Sequence, residues 1–409
     1  MYEPLLNRFI AYAKVNTRSN PHSSTIPSTP SQIDFALNLA EELKKIGLDE
    51  VEYNEDNGFV TATLPSNVDK DVPVIGFLAH IDTADYAAEN IQPQVHRNYD
   101  GKDILLNEEL AITMTVAEFP QLKNYVGQTV ITTDGTTLLG ADDKAGMASI
   151  VSAMEEYTKH PERPHGKIRL AFGPDEEIGT GALLFDVEHF NADFAYTLDS
   201  GIVGKFEYET FNAAQAEITF KGTSVHPGSA KDSMVNALLL AAQFATALPQ
   251  DEVPEKTEGY EGFYMLSSQV GTIDEVKATY IIRDHDKMLF ENRKRHFQEL
   301  VDQFNSSFDQ PRLDLKLYDQ YYNMRDIIEK DMYSVDLALE AYRELGIEPD
   351  VKPFRGGTDG SIITYKGLPT PNIFTGSENL HGKYEFVTLE GMEKSADVVL
   401  KIIELAAAK

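Results

Sequence analysis

The chain has 409 residues, 42% of them hydrophobic and 25% charged, an ordinary globular composition that excludes wholesale disorder and is long enough for two domains. With 36 Lys+Arg against 66 Asp+Glu its formal net charge is −30, which repels nucleic-acid phosphate and anionic lipid, so neither nucleic acid nor membrane is expected as a partner. Cysteine is absent, which removes disulfides, thiol nucleophiles and Cys-ligated metal sites together.

Residues 1–10 lack the basic and continuously apolar segments of a signal peptide; Leu5, Leu6, Phe9, Ile10 and Tyr12 recur at helical spacing and predict an amphipathic first helix. No 18 apolar residues run together, so a soluble intracellular chain is expected. Residues 19–31, rich in Ser, Thr and Pro, predict a surface loop. Ile33, Ala36, Leu39, Leu43 and Ile46 then mark a helix that Gly47 stops.

Strands are predicted at 58–64 and 73–79, the second almost wholly apolar, as for a strand buried on both faces. It ends abruptly in His80-Ile81-Asp82. Two further apolar runs, 167–172 and 194–198, end in Gly173-Pro174-Asp175-Glu176-Glu177 and in Asp199-Ser200-Gly201, with helical stretches at 144–157 and 181–185. Strands alternating with helices predict a parallel α/β sheet, whose ligands collect at the carboxyl ends of the strands.

Residues 210–320 follow another plan. A strand at 214–221, an Ala/Leu-rich helix at 235–248, paired strands at 261–270 and 275–283, a helix with Phe290, Phe297, Leu300, Val301 and Phe304 on one face, and a strand at 312–318 make the order βαββαβ, the ferredoxin-like plan. A helix at 334–345 resumes the α/β pattern. The expected organisation is an α/β domain of residues 1–209 and 321–409, interrupted by an α+β module of 210–320.

No HExxH, GxSxG or Gly-Lys-Ser/Thr phosphate loop is present. Gly179-Thr180-Gly181 lacks the third glycine of a dinucleotide loop and follows two carboxylates that would repel a pyrophosphate. What the strand ends do carry is His80 and Asp82, Asp142 and Asp143, Glu176 and Glu177, Asp199 and, further on, His381. Singly, each has a plain structural role: a strand-end histidine caps, Asp142-Asp143 opens a helix with favourable dipole charge, Glu176-Glu177 is solvated surface. Together they call for more, because buried strands place their ends side by side and crowded carboxylates need a cation.

His80, Asp142, Glu177, Asp199 and His381 supply two three-ligand sites if one carboxylate bridges, each leaving a position for water. Two Zn²⁺ ions outweigh three ionised carboxylates by one charge, which favours a bridging hydroxide. Along an extended chain Glu176 and Glu177 point oppositely, so one binds metal while the other serves as general base. His80 and Asp82 share a face, which lets Asp82 orient the imidazole. Metal-assisted hydrolysis is the reaction class.

Several segments carry a family likeness. They are His80-Ile81-Asp82-Thr83-Ala84, the run from Gly127-Gln128-Thr129 through Asp134-Gly135 to Asp142-Asp143-Lys144-Ala145-Gly146, and Pro174-Asp175-Glu176-Glu177-Ile178-Gly179. Gly222-Thr223-Ser224-Val225-His226-Pro227-Gly228, Tyr321-Tyr322-Asn323-Met324-Arg325, Arg355-Gly356-Gly357-Thr358-Asp359-Gly360 and His381-Gly382-Lys383-Tyr384-Glu385-Phe386 extend it. Over essentially its whole length the chain resembles the peptidase T family of tripeptide aminopeptidases, within the aminoacylase-like co-catalytic di-zinc metallopeptidases.

The resemblance implies a di-zinc exopeptidase-type α/β catalytic domain with an inserted ferredoxin-like lid. It implies two Zn²⁺ per subunit: His80, Asp142 and Asp199 on one, Asp142, Glu177 and His381 on the other, with Asp142 bridging. Asp82 matches the residue that orients a ligand histidine, Glu176 the general base, and the Asp142–Asp143 peptide bond is implied to be cis. His226 matches an oxyanion-stabilising histidine, in some relatives supplied by a partner subunit, and Arg355 the arginine for a substrate carboxylate, with Arg283 a further candidate. Their plain alternatives are a turn at His226 and local partners for the two arginines. The expectation is a cytoplasmic enzyme that takes the N-terminal residue from tripeptides, its lid closing over small peptide substrates and offering a homodimer surface. Inside the class the rivals are a dipeptidase, a carboxypeptidase or an N-acyl amino acid deacylase with the same metal centre. Outside it stands a non-catalytic metal-binding scaffold, against which Glu176 beside all five ligands argues. The motifs do not mark the residue that recognises the free amino terminus.

Overall fold

The structure is a computed structural model that describes residues 3–409, and the chain divides into two compact units. The first runs to Tyr208 and takes in Asp326–Lys352 and Thr358–Lys409; the second comprises Glu209–Arg325 and Pro353–Gly357.

The first unit is built on eight strands: β1 (Asp49–Tyr53), β2 (Val60–Leu64), β3 (Ile75–His80), β4 (Ile168–Gly173), β5 (Phe194–Ser200), β6 (Lys205–Glu207), β7 (Asp350–Val351) and β8 (Asn372–Phe374). They lie in the order β1-β2-β4-β3-β5-β8-β6-β7. At the centre β3 runs parallel to both β4 and β5, and β8 parallel to β5, as strands joined through helices must. Toward the margins β2 is antiparallel to β1 and β4, and β6 to β8, so the sheet is mixed. Every residue of β3 and β4 is buried, which is why their sequences run mostly apolar instead of alternating; the exceptions are His80 at the end of β3 and Arg169 in β4, whose Nε donates to the Phe190 carbonyl.

Helices α1 (Glu3–Ala13), α2 (Pro30–Lys45), α3 (Ala141–Lys159), α4 (Tyr333–Glu344), α5 (Asp359–Tyr365) and α6 (Leu389–Ala408) belong to this unit. Leu5, Leu6, Phe9 and Tyr12 of α1 are buried, as the helical spacing predicts. Gly47, at φ +94°, ends the turn after α2. α3 packs on β3 and β5 and against α1 and α6, so its first turn sits beside the ends of the central strands.

Two local expectations are corrected. Residues 181–185 form only a short 3₁₀ turn, Gly181–Leu184, because the chain turns extended at Phe185 (φ −60°, ψ 126°); Gly181 itself lies so close to the preceding chain that a Cβ there would sit 1.7 Å from the Pro174 carbonyl oxygen. The loop at 19–31 is not simply surface: Ser19, Pro27 and Ser28 are buried, and Ser28 anchors the turn after β4.

The second unit is a four-stranded antiparallel sheet in the order Phe263–Gly271, Glu275–Asp284, Asn212–Lys221, Leu313–Tyr321, with helices Ala237–Ala247 and Lys287–Asn305. Phe220, Phe244, Tyr280 and Phe297 form its aromatic core. The chain order is the βαββαβ read from the sequence. Its limits differ from 210–320: the last strand runs on to Tyr321, opposite Ala213, and Pro353–Gly357 returns to it. That return is held by Phe354 N–H donating to the Glu209 carbonyl at 2.9 Å and Phe211 N–H to the Gly356 carbonyl at 3.1 Å.

Candidate functional site

His80 closes β3 at the centre of the first unit's sheet, and its ring is buried. Nε2 lies 2.9 Å from Asp142 Oδ1 and 3.6 Å from Asp199 Oδ1. Nδ1 lies 3.1 Å from the Asp82 carbonyl and 3.2 Å from Asp82 Oδ1. A carbonyl only accepts, so Nδ1 carries a proton and Nε2 is the ring atom turned toward the two carboxylates. Across the site His381 Nε2 lies 3.0 Å from Asp142 Oδ2 and 3.2 Å from Glu177 Oε2. Asp142 thus stands between two imidazoles with one oxygen toward each.

The turn after β4 that bears Glu176 and Glu177 is fastened from both sides. Asp82 Oδ1 accepts the Glu176 N–H at 3.0 Å and Oδ2 the Glu177 N–H at 3.2 Å. Asp175, at φ +58°, takes the Ser28 N–H at 2.7 Å and Gln32 Nε2 at 2.8 Å, and its carbonyl accepts from Thr180 and Gly181. At the start of α3 the Asp142–Asp143 peptide bond is cis, as the resemblance implies, and Asp143 Oδ2 accepts the His80 N–H at 3.2 Å. Glu385 holds the same segment, accepting from the backbone N–H of Leu139, Gly140 and Asp142.

So much buried negative charge shifts the acids upward. Burial, and then the neighbouring Asp142 charge, push Glu177 and Asp199 up to about 7 each. Glu176 and Asp143 stand well above the carboxylate range, from burial first and the Asp199 charge second. Asp359, the first residue of α5, rises to about 8 through burial and the charges of Asp199, Asp82 and Asp175, against the pull of His80. Asp142 is the exception: although burial opposes it, the His381 and His80 hydrogen bonds hold it below the usual range.

The donor set fits divalent cations. Ligand atoms of His80, Asp142 and Glu177 lie within 4.8 Å of one another, as do those of His80, Glu176 and Asp199. Glu177 Oε1 is buried with no hydrogen-bond partner, an atom that a cation would satisfy. Imidazole nitrogen and carboxylate oxygen suit Zn, Mn or Co.

All seven residues read from the sequence as ligands, base or orienting acid (His80, Asp82, Asp142, Glu176, Glu177, Asp199 and His381) meet in this cluster of the first unit. His226, Arg283 and Arg355 belong to the second unit. His226 is exposed and caps the turn Pro227–Ser229, Nδ1 accepting the Gly228 N–H at 3.1 Å. Arg283 donates to the Ala214 and Ile282 carbonyls and to Gln320, over the Tyr321 ring. Arg355 donates to the Gly259 and Glu261 carbonyls and to Thr257 Oγ1, over the rings of Phe211 and Phe263. Sequence reasoning passed over Glu385, Asp359 and Ser28. Glu385 lies in the segment His381–Phe386 and Asp359 in Arg355–Gly360, but no spacing rule marks a carboxylate whose amide partners lie far along the chain, as those of Glu385 do.

The model of Peptidase family M20/M25/M40 matches residues 133–405. The chain is 58% identical over 408 residues to peptidase T of Enterococcus faecalis, covering 100% of both chains. Among solved structures it resembles the aminopeptidase PepT of Bacillus cereus with a TM-score of 0.78 at 24% identity, covering 100% of this chain and 99% of that one. It also resembles a dinuclear metal binding peptidase from the M20 family of Bacillus subtilis, with a TM-score of 0.68 at 15% identity, covering 100% and 98%.

Proposed function

The chain belongs to peptidase family M20/M25/M40, and on that premise we propose that it is an aminopeptidase that releases the N-terminal residue of tripeptides. The observation that carries this is the meeting of His80, Asp142, Glu176, Glu177 and Asp199, with His381 beside Asp142 and Glu177, in a chain alike over its full length to peptidase T.

In this proposal His80, Asp142 and Asp199 would hold one Zn²⁺ and Asp142, Glu177 and His381 a second. The two oxygens of Asp142, each facing a different imidazole, support that division. Bound there, the cations supply Lewis-acid polarisation of the scissile carbonyl and acidify a water molecule. Glu176 takes the proton of the attacking water and passes it to the departing amine, a duty suited to a carboxylate that stands beside His80 and Asp199 with its backbone N–H held by Asp82. Asp82 keeps His80 and the Glu176 backbone in place.

His226, as oxyanion donor, and Arg355 and Arg283, for the far carboxylate, complete the substrate set, with the second unit as lid. Homodimerisation through that unit is part of the same proposal: its outer strand Phe263–Gly271 exposes Leu266 and Val270. So is a cytoplasmic location; among the described residues no helix is long and apolar enough to cross a membrane.

The test compares hydrolysis of a free tripeptide, its N-acetylated form, and di- and tetrapeptides, with metal content measured per chain. Cleavage of the first bond of the free tripeptide is expected, lost in Glu176→Gln by roughly 10²–10⁴-fold. Preference for the acetylated peptide would make the chain a deacylase, and near wild-type turnover in Glu176→Gln would remove the base from the mechanism.

A further inference from the structure

We propose that Glu385 is a positioning residue for the cation site: it fixes the backbone that carries Asp142 to the segment that carries His381. The proposal rests on Asp142 and His381 being ligands.

Glu385 is 1% exposed. Its Oε2 accepts from Leu139 N at 2.9 Å and from Gly140 N at 2.8 Å, and its Oε1 accepts from Asp142 N at 3.0 Å. These amides lie at the opening of α3, where N–H groups have no partner in the helix itself and are usually capped by a local Ser, Thr, Asp or Asn. Here the preceding residue is Gly140, at φ +75°, which has no side chain to cap with. The cap comes instead from a residue 243 positions further along the chain at Asp142.

That origin matters. Glu385 stands four residues after His381, in a short turn closed by its own N–H to the Gly382 carbonyl at 3.1 Å. The next residue, Phe386, enters the strand Phe386–Thr388, which pairs with Val130–Thr132. One carboxylate therefore links the two segments whose side chains meet at 3.0 Å between Asp142 Oδ2 and His381 Nε2. The amide it grips at Oε1 is that of Asp142 itself, so a change in this bond moves the very residue that faces both imidazoles. A metal site tolerates about 0.5 Å of displacement before affinity suffers. A glutamate that merely filled space would not meet three N–H donors with both oxygens.

The test uses the full chain, stripped of metal, with Glu385→Gln. Glutamine keeps the shape and one acceptor oxygen, but its NH₂ faces at least one of the three amides, donor against donor. The control is Glu390→Gln: Glu390 also holds a backbone amide of the same unit, that of Thr129 at 3.0 and 2.8 Å, which carries none of the proposed ligands. Zn²⁺ affinity is read by chelator competition, and Co²⁺ coordination by its visible absorption. Glu385→Gln is expected to weaken Zn²⁺ roughly 10–100-fold and to change the Co²⁺ spectrum, the usual effect of losing a residue that orients a ligand. Glu390→Gln is expected to lower thermal stability with wild-type affinity and spectrum. Wild-type affinity in Glu385→Gln, or an equal loss in both variants, would overturn the proposal. Should Glu385→Gln not fold, Glu385→Asp, one methylene too short to span the three amides, is read against the same two outcomes. If the wild type binds Zn²⁺ no better than His381→Ala, it is the ligand assignment that fails, and not the role of Glu385.

Discussion

The carboxylate of Asp82 accepts the backbone N–H of Glu176 at 3.0 Å while its Oδ1 also lies 3.2 Å from His80 Nδ1. One buried group thus sets both the tautomer of a proposed ligand and the backbone of the proposed base. Asp82→Asn preserves volume but replaces one acceptor oxygen with a donor, which opposes either a backbone N–H or the imidazole N–H. We expect kcat for a free tripeptide to fall about 10–100-fold with KM little changed. Steady-state kinetics beside metal content tells whether the loss lies in positioning or in metal retention; unchanged kcat would remove Asp82 from the orienting role.

Asp359 is buried and feels the charges of Asp199, Asp82 and Asp175 as well as that of His80. If it receives the substrate α-ammonium, Asp359→Asn should raise KM for a free tripeptide at least tenfold, about 1.4 kcal/mol, and leave the N-acetylated form unaffected. Equal effects on the two peptides would assign Asp359 to the metal centre instead of to the amino terminus.

The residues whose role follows from what they are could be found in the sequence; those whose role follows from where the chain returns could not. His80, Glu177 and Asp199 each follow a run of apolar residues, and a run that ends in a charge marks a strand end whatever lies around it. The βαββαβ order of the second unit is likewise local, carried by periodicity. Glu385 and Ser28 act on amides or carboxylates 243 and 147 residues away, which no window of sequence contains. Residues 181–185 resemble a helix in their apolar spacing, but Phe185 turns extended after one 3₁₀ turn, which the spacing does not mark. The antiparallel margins of the sheet escaped because alternation with helices speaks only for its parallel centre.

Gly146 lies in α3, one turn after Asp142, where alanine would ordinarily favour a helix by about 1 kcal/mol. Space decides otherwise. A Cβ at this position would sit 2.1 Å from the Leu198 carbonyl oxygen and 2.3 Å from Asp143 Oδ1. The first is backbone of β5, next to Asp199, and cannot swing aside. Gly146→Ala should therefore destabilise the first unit by roughly 1–3 kcal/mol and weaken Zn²⁺ binding by displacing Asp143 and Asp199 together. Denaturant unfolding and metal titration check it; a stabilised variant would show that helix and strand can part without cost.

In the second unit, His285 makes a pH prediction independent of the metal centre. Its Nδ1 lies 3.1 Å from the Thr210 carbonyl and so donates, while the buried ring stacks on Phe211 at 4.2 Å. Burial, with Arg355 and Arg325 adding to it and the backbone of Thr210 and Gly259 opposing, brings its pKa down to about 4. In the unfolded chain a histidine titrates near 6.5. Between these values the unfolded state binds more protons, so stability from the neutral ring is complete above about pH 6.5, declines as pH falls, and is gone below about pH 4. At roughly 1.4 kcal/mol per pH unit, discounted for the solvent the ring retains, the change amounts to about 1–3 kcal/mol. His285→Gln keeps a donor for Thr210 and does not titrate. Urea unfolding at pH 7 and at pH 4.5 should show the wild type losing more stability than the variant, the carboxylates common to both cancelling in the difference. Parallel pH dependences would mean that the folded state accommodates the imidazolium at no cost.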